Sequence, residues 1–318
     1  MNIQVPDMLL AAVGFCAFIG LFVLFAGFFI WRNRRSGKYS PFTEDFFRLP
    51  GHSTGVFHGE IVEKIICNYV YFVVISALVV WKVVFYSVFE FMVLFGLLVL
   101  GYLLFKTYPL FEKAHNYRLG CEGEEFTGQE LNLLMLSGAY VFHDIPYKYG
   151  NIDHIVIGKD KLFVVETKAF KKPQKSKTDT GKNAKVRYDG STLVFPTFST
   201  SKPLEQVKMA ADFVEKVLLK KTNQEFCVVP VVALPGWYVE VDASNPSAVL
   251  VINPKRGNAL RNRLGECTNY DLRRTVVRHI AAVSRTKKPK SKSTDPNAAD
   301  EFDFWFNPKP IEDLSWDK

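Results

Sequence analysis

Three charged side chains, Asp153, Glu166 and Lys168, stand in two neighbouring apolar stretches at spacings that could cut a phosphodiester. The first stretch is Asn151-Ile-Asp-His-Ile-Val-Ile157, the second is Leu162-Phe-Val-Val-Glu-Thr-Lys168, and Gly158-Lys-Asp-Lys161 joins them as a turn. Their patterning predicts two adjacent strands. Glu166 and Lys168, two residues apart, then share one strand face, and pairing across the turn brings Asp153 towards Glu166. Two carboxylates with room between them make an oxygen-rich site suited to Mg²⁺ or Mn²⁺. A lysine beside such an ion can orient or activate a water. Phosphodiester hydrolysis needs this set, because charge builds on the phosphate oxygens and a cation both stabilises it and acidifies its bound water.

A Glu-x-Lys tripeptide also occurs as a solvated strand edge with a surface ion pair. Context separates the two readings. Both acids are embedded among Ile155, Val156, Ile157 and Leu162 to Val165, close to a core where an unpaired charge is costly, and a metal would relieve that cost. His154 points to the opposite face from Asp153 and is expected to be packed or hydrogen-bonded. The five cysteines, at 16, 67, 121, 227 and 267, form no C-x-x-C pair, lack zinc spacing and read as reduced thiols.

In order along the chain come Gly120-Cys-Glu-Gly-Glu124, Val141-Phe-His-Asp144, Ile152-Asp-His154, Val165-Glu-Thr-Lys168 and Pro203-Leu-Glu-Gln206. Together they resemble the nuclease-related domain (NERD) family of the PD-(D/E)xK nuclease superfamily. The resemblance implies a restriction-endonuclease-like α/β fold and metal-dependent cleavage, with Asp153, Glu166 and the backbone carbonyl of Thr167 as metal ligands. Lys168 would position the attacking water and offset charge on the scissile phosphate. Glu124, from the preceding helix, would complete the acidic cluster or act through a bound water. Gln206 would touch the lysine or the metal water, or be an ordinary surface residue. Because Glu122, Glu124 and Glu125 crowd one helical turn, which of them enters the site stays open.

The elements that must position these groups follow from periodicity. A helix is expected over about 123–136, strands near 139–145, 152–157 and 162–167, and a further strand at 191–195 after the Asp189-Gly190 turn. Leu204, Val207, Ala211, Val214 and Leu218 place an apolar stripe on a helix over about 203–221. Strands near 226–234 and 247–252 and a helix over about 269–283 complete a mixed sheet flanked by helices, within a domain assigned to 107–284. From 285 to 318 the composition predicts a disordered or peripheral tail, whose aromatics, including Phe304, Trp305 and Phe306, could dock on the domain's own surface or on a partner.

Lys171, Lys172, Lys175, Lys177, Lys182, Lys185 and Arg187 cluster after the Glu-x-Lys strand. They could hold a nucleic-acid backbone, keep the loop soluble, or meet anionic lipid headgroups. The formal net charge of +8 fits either of those two partners.

The segment Met8 to Trp31 is uncharged and long enough to cross a hydrocarbon core of about 30 Å. A cleaved signal peptide is the alternative, but the positive residues Arg32, Arg34, Arg35 and Lys38 follow the segment instead of preceding it. A second apolar block, Ile65 to Phe105, is interrupted by Lys82 and Glu90 and reads as a helical hairpin over about 65–84 and 88–105. A single long helix is its alternative. Three transmembrane helices within residues 1–106, with an outside N-terminus, put the rest of the chain on the cytoplasmic face of a cell inner or plasma membrane. Residues 32–64 read as a juxtamembrane segment too short for its own core. The leading expectation is a membrane-anchored, Mg²⁺-dependent nuclease acting on DNA in preference to RNA, possible in a role against foreign DNA. The alternative is an inactive membrane scaffold that binds nucleic acid or a protein through a nuclease-like fold. No particular protein partner is legible.

Overall fold

The computed structural model describes residues 28, 46–86, 91–172, 185–242, 248–256, 258–266, 268–285 and 303–306. Its contacts form two compact units, one comprising 1–44 and 66–108, the other 45–65 and 109–318.

In the first unit, apolar runs in α1 (His52–Tyr86) and α2 (Phe91–Asn132) leave Leu78, Val80, Leu98 and Phe105 exposed. Gly96 sits against Val79, where an added Cβ would come within 2.5 Å of Cγ2, and Asn68 Nδ2 donates to Thr107 Oγ1 at 3.0 Å. Both helices are long and apolar enough to cross a bilayer. Two such helices, not three, occur among the described residues, because the span expected over 8–31 lies outside them apart from Phe28. The hairpin is two helices, but each overruns its expected limit. α1 begins at His52, inside the segment read as juxtamembrane, and α2 runs on through Pro109 to Asn132, absorbing the separate helix expected over 123–136 before a 3₁₀ turn at Leu133–Ser137. Hydropathy marks where an apolar stretch stops, not where a helix stops. From Lys106 the sequence turns polar while keeping good helix formers such as Lys, Glu, Leu and Arg.

The second unit is a mixed α/β body with two sheets. β1 (Tyr140–Tyr147), β2 (Gly150–Ile157) and β3 (Lys161–Thr167) form an antiparallel meander. After the intervening elements, β7 (Cys227–Ala233) joins β3 in parallel and β9 (Leu250–Ile252) joins β7 in parallel. A second sheet in the order β6-β5-β4-β8 comprises β4 (Lys185–Tyr188), β5 (Leu193–Val194), β6 (Ser199–Thr200) and β8 (Tyr238–Val241). This corrects the single sheet expected from sequence. β4 lay hidden in a stretch read for its charge, although Val186 and Tyr188 alternate inward against exposed Lys185 and Arg187.

Helices cover both faces of the larger sheet. α3 (Lys202–Thr222) buries Leu204, Val207, Ala211, Val214 and Leu218 in one core, together with Ile155, Val164 and residues of α5 (Tyr270–Arg285). On the other face Val156, Phe163 and Val165 pack with Leu131, Leu134 and Leu260, the last from α4 (Asn258–Arg261). Within the stretch expected as a tail, the described residues form α6 (Asp303–Phe306). Trp305 is fully buried in the first core, its indole N–H donates to the Pro146 carbonyl at 2.7 Å, and its ring meets Phe213 edge-on at 5.1 Å. Phe306 packs beside it on the same core, with the Lys220 ammonium 4.5 Å from its ring centre and Lys221 Nζ donating to its carbonyl at 2.6 Å.

Replacing Trp305 with Ala should destabilise the second unit by about 3–5 kcal/mol, since a large cavity opens and the Pro146 carbonyl loses its donor. Urea unfolding of the full chain in detergent micelles, followed through that unit, checks this; an unchanged midpoint would contradict the packing.

Candidate active site

β2 and β3 pair with His154 opposite Val165 and Ile155 opposite Val164. Alternation therefore sends Asp153 and Glu166 to the face that α3 covers. Asp153 Oδ2 accepts the backbone N–H of Thr167 at 2.7 Å, and Lys168 Nζ lies 2.7 Å from Glu166 Oε1. In an antiparallel ladder a residue sends its N–H and C=O to the same neighbour, so the Thr167 carbonyl also faces the Asp153 side. The Lys168 N–H turns the other way, to the Ala233 carbonyl at 3.0 Å.

The fourth member arrives from α2. Gly123 lets this helix close on the end of β3, since a Cβ there would come within 2.6 Å of the Ala169 Cβ. Of the three acids in this turn, Glu122 is exposed and paired with Arg118 at 2.8 Å, and Glu125 is exposed beside the Cys121 thiol. Glu124 is half-buried, accepts the Thr54 hydroxyl at 2.7 Å, and lies in the field of Glu166 and Lys168.

Burial pushes the Glu124 carboxyl up to about 7; the Thr54 hydrogen bond opposes this and the charges of Asp144 and Glu166 add to it. Burial also holds Asp153 well above the usual carboxylate range, with Glu166 and Glu124 reinforcing it. Glu166 is raised by burial against the pull of Lys168. For Lys168 burial acts downward, yet Glu166, Asp153 and Glu124 outweigh it and keep the ammonium charged. One lysine thus serves three acids and could not compensate all of them if ionised, which is why their carboxyls hold protons to higher pH than usual.

That imbalance and the hard oxygen donors suit a divalent cation. Among the described residues no three His, Cys, Asp or Glu side chains gather closely enough to hold an ion by themselves. Asp153 and Glu166 with the Thr167 carbonyl and water would match Mg²⁺, which commonly takes one or two carboxylates and keeps several waters.

The opposite face of the same strands carries a neutral chain. His143 and His154 face each other through their Nδ1 atoms at 2.8 Å, His143 Nε2 meets Asn132 Oδ1 at 3.1 Å, and His154 Nε2 meets Thr167 Oγ1 at 3.2 Å. With the Asn132 oxygen as acceptor, His143 donates from Nε2, so His154 donates from Nδ1 and the Thr167 hydroxyl donates to His154 Nε2. Thr167 therefore links this chain to Asp153 through its own N–H.

Sequence reasoning missed several neighbours of the site. Asp144 would stand opposite Asp153 in the β1–β2 ladder, but its φ of 51° interrupts the pairing between His143↔His154 and Ile145↔Ile152. Its carboxylate is taken by Ser53 at 2.8 Å, Asn151 at 3.0 Å and Arg48 at 3.4 Å. Like charges directly opposite one another destabilise a sheet, and this turn of the backbone sends the second acid elsewhere. Tyr147, at the end of β1, has its hydroxyl pushed up to about 12 by burial and by Glu166 and Asp153. An acid in an otherwise apolar strand was the available signal for Asp144.

Gln206 lies half-buried in the first turns of α3, and among the described residues no hydrogen bond joins it to Lys168, Asp153 or Glu166. Lys171 and Lys172 are exposed, with the Lys172 ammonium 5.9 Å from the Trp237 ring centre. Lys185 and Arg187 pair with Glu240 at 2.6 Å and Asp242 at 3.0 Å. Lys175, Lys177 and Lys182 lie outside the described residues.

A family model described as the nuclease-related domain matches residues 119–235, a span containing Glu124, Asp153, Glu166, Thr167, Lys168 and Gln206. No curated protein and no solved structure matches the chain.

Burial lowers His143 to about 4 and His154 well below its usual value. Between about pH 4 and 6.5 the unfolded chain takes up protons that folded His143 refuses. Its contribution is therefore complete above 6.5 and lost as pH falls, by about 1.4 kcal/mol per unit. The raised carboxylates act in the opposite sense, so the site-resolved check is imidazole ¹⁵N NMR. Both rings should stay neutral down to about pH 5, His143 as the Nε2–H tautomer and His154 as Nδ1–H; protonation of either near 6.5 would refute this.

Proposed function

With a nuclease-related domain at residues 119–235 as the premise, we propose that the chain hydrolyses phosphodiester bonds of nucleic acid, DNA in preference to RNA. The observation that carries the reading is the meeting of Asp153, within β2, with Glu166 and Lys168 at the end of β3, with Glu124 in their field. The order of elements supports a restriction-endonuclease-like core: a helix, the β1–β2–β3 meander, α3, and β7 parallel to β3.

Mg²⁺ or Mn²⁺ would be held by Asp153, Glu166 and the Thr167 carbonyl. When bound, such an ion offsets charge on the phosphate oxygens and makes its water a stronger acid. Lys168, kept charged by its three acids, donates to the attacking water or to a phosphate oxygen and offsets the charge that builds there. Thr167 holds Asp153 through its N–H, which fixes the spacing of the two strand carboxylates. Glu124 completes the acidic cluster or acts through a water. Gln206 would contact the lysine or that water, while exposed Lys171 and Lys172, with Lys175, Lys177 and Lys182, would receive the backbone of the substrate. Lys185 and Arg187 would first have to leave Glu240 and Asp242.

The apolar helices α1 and α2 support anchoring in a bilayer. The positive residues Arg32, Arg34, Arg35, Lys38, Lys106 and Lys113 support a cytoplasmic placement of the domain. A nuclease there meets incoming foreign DNA at its point of entry, which makes defence the role this placement suits.

The full chain in detergent micelles should cleave linear, circular or single-stranded DNA with Mg²⁺ or Mn²⁺ and stop on chelation. Asp153→Ala, Glu166→Ala and Lys168→Ala should each lower cleavage by roughly a hundredfold or more. Wild type and variants with the same rate would overturn the assignment, and a wild type that binds nucleic acid without cutting would favour a scaffold. In cells, the intact protein should reduce plasmid transformation relative to Glu166→Ala; equal efficiencies would remove the defensive role.

A further inference from the structure

The domain match begins at residue 119, but the acidic cluster is held by a segment well before it. Thr54 Oγ1 donates to Glu124 Oε1 at 2.7 Å. Next to it Ser53 Oγ donates to Asp144 Oδ2 at 2.8 Å, and Arg48 donates to the Asp144 carbonyl at 3.1 Å and to Oδ2 at 3.4 Å. These are shielded contacts: the side chains of Arg48 and Asp144 are 13% and 3% exposed.

The segment is fitted against α2 by small residues. Gly51, at φ 72°, lies so close that a Cβ would come within 3.1 Å of Cys121 Sγ and 3.2 Å of the Cys121 carbonyl oxygen. At Gly128 a Cβ would overlap the Pro50 ring at 2.4 Å, and at Gly55 one would touch Cys121 Sγ at 3.5 Å. The left-handed turn at Gly51 also starts α1, with Gly55 donating to the Gly51 carbonyl at 2.7 Å. Phe47 packs on Phe142 at 5.8 Å, and the Arg285 guanidinium lies over the Phe47 ring at 4.2 Å, so the approach to the turn is anchored as well.

From this geometry we infer that Thr54 is a positioning residue for Glu124 in the proposed cleavage, with Arg48 and Ser53 fixing the neighbouring Asp144. A glutamate side chain has three rotatable bonds, and a carboxylate among other carboxylates is driven away from them. A short bond from a hydroxyl on a separately anchored helix selects one orientation and keeps the oxygen at the site. Asp144 illustrates the complementary need: by register it stands opposite Asp153 in the β1–β2 ladder, and Ser53, Asn151 and Arg48 hold its carboxylate. The Thr54 methyl lies beside Gly120, where an added Cβ would come 3.5 Å from Cγ2, so the test has to separate the hydroxyl from the packing of the methyl.

This inference rests on the nuclease reading, and the experiment separates the two. In the full chain in micelles, with Mg²⁺ and linear DNA, Thr54→Val keeps the shape and removes the donor, whereas Thr54→Ser keeps the donor. Thr54→Val should lower kcat about tenfold with KM within about twofold and an unchanged melting temperature, and Thr54→Ser should return kcat to within about twofold of wild type. An active wild type with Thr54→Val equally active overturns the positioning role alone. So does an equal fall in both variants with a lowered melting temperature, which would mark a packing role. A wild type that does not cut overturns the nuclease reading and this inference with it.

Discussion

Buried negative charge around a single lysine is the constraint to which the rest of the second unit answers. A carboxylate moved out of water is destabilised unless a cation or hydrogen-bond donors replace its hydration. Lys168 supplies the cation at 2.7 Å from Glu166, but Asp153 and Glu124 draw on the same charge. Each acid then needs a donor of its own: the Thr167 N–H for Asp153, the Thr54 hydroxyl for Glu124, and the Ser53, Asn151 and Arg48 set for Asp144. Three of these donors come from residues 48–54, and their placement requires the glycine contacts between that segment and α2.

The two faces of β2 and β3 resolve their polar groups in opposite ways. On the α3 face the groups are charged and incompletely balanced. On the other face His143 and His154 are neutral, and every ring nitrogen in the pair has a partner. A neutral chain is the stable choice where apolar residues such as Val156, Phe163 and Val165 crowd the strands, because an imidazolium there would have no anion beside it. Thr167 belongs to both arrangements, its hydroxyl in the neutral chain and its N–H on Asp153, so the histidines stiffen the strand position from which the acid is held.

Local signals carried much of this into the sequence. The meander, the apolar stripe of α3 and the shared face of Glu166 and Lys168 follow from periods of two and 3.6 within a few residues. β4 was equally readable in Val186 and Tyr188, but the lysines around it drew the eye to charge. The ends of α1 and α2 were not readable from hydropathy, since a polar stretch continues a helix as readily as an apolar one. Hidden altogether were contacts made across long separations: Thr54 with Glu124, Ser53 with Asp144, and Trp305 with Pro146. A serine, a threonine or a tryptophan has no spacing that announces a partner far along the chain. Asp144 shows the same limit within one strand, because its left-handed backbone, not its position in the alternation, decides where the carboxylate goes.

The balance of charge also bears on what such a site could be for. A surface that only bound nucleic acid would gain from lysines and arginines and lose from each acid near the phosphates, because like charges repel and the acids also cost stability when buried. Here the acids of β2, β3 and α2 act on one another, while Lys185 and Arg187 are already occupied by Glu240 and Asp242. On the proposed reading a cation would enter this acidic pocket with the phosphodiester, whereas a binding-only surface would be served better without Asp153 or Glu124. On that reading these acids belong to chemistry at the phosphate, a role that affinity for the backbone alone does not call for.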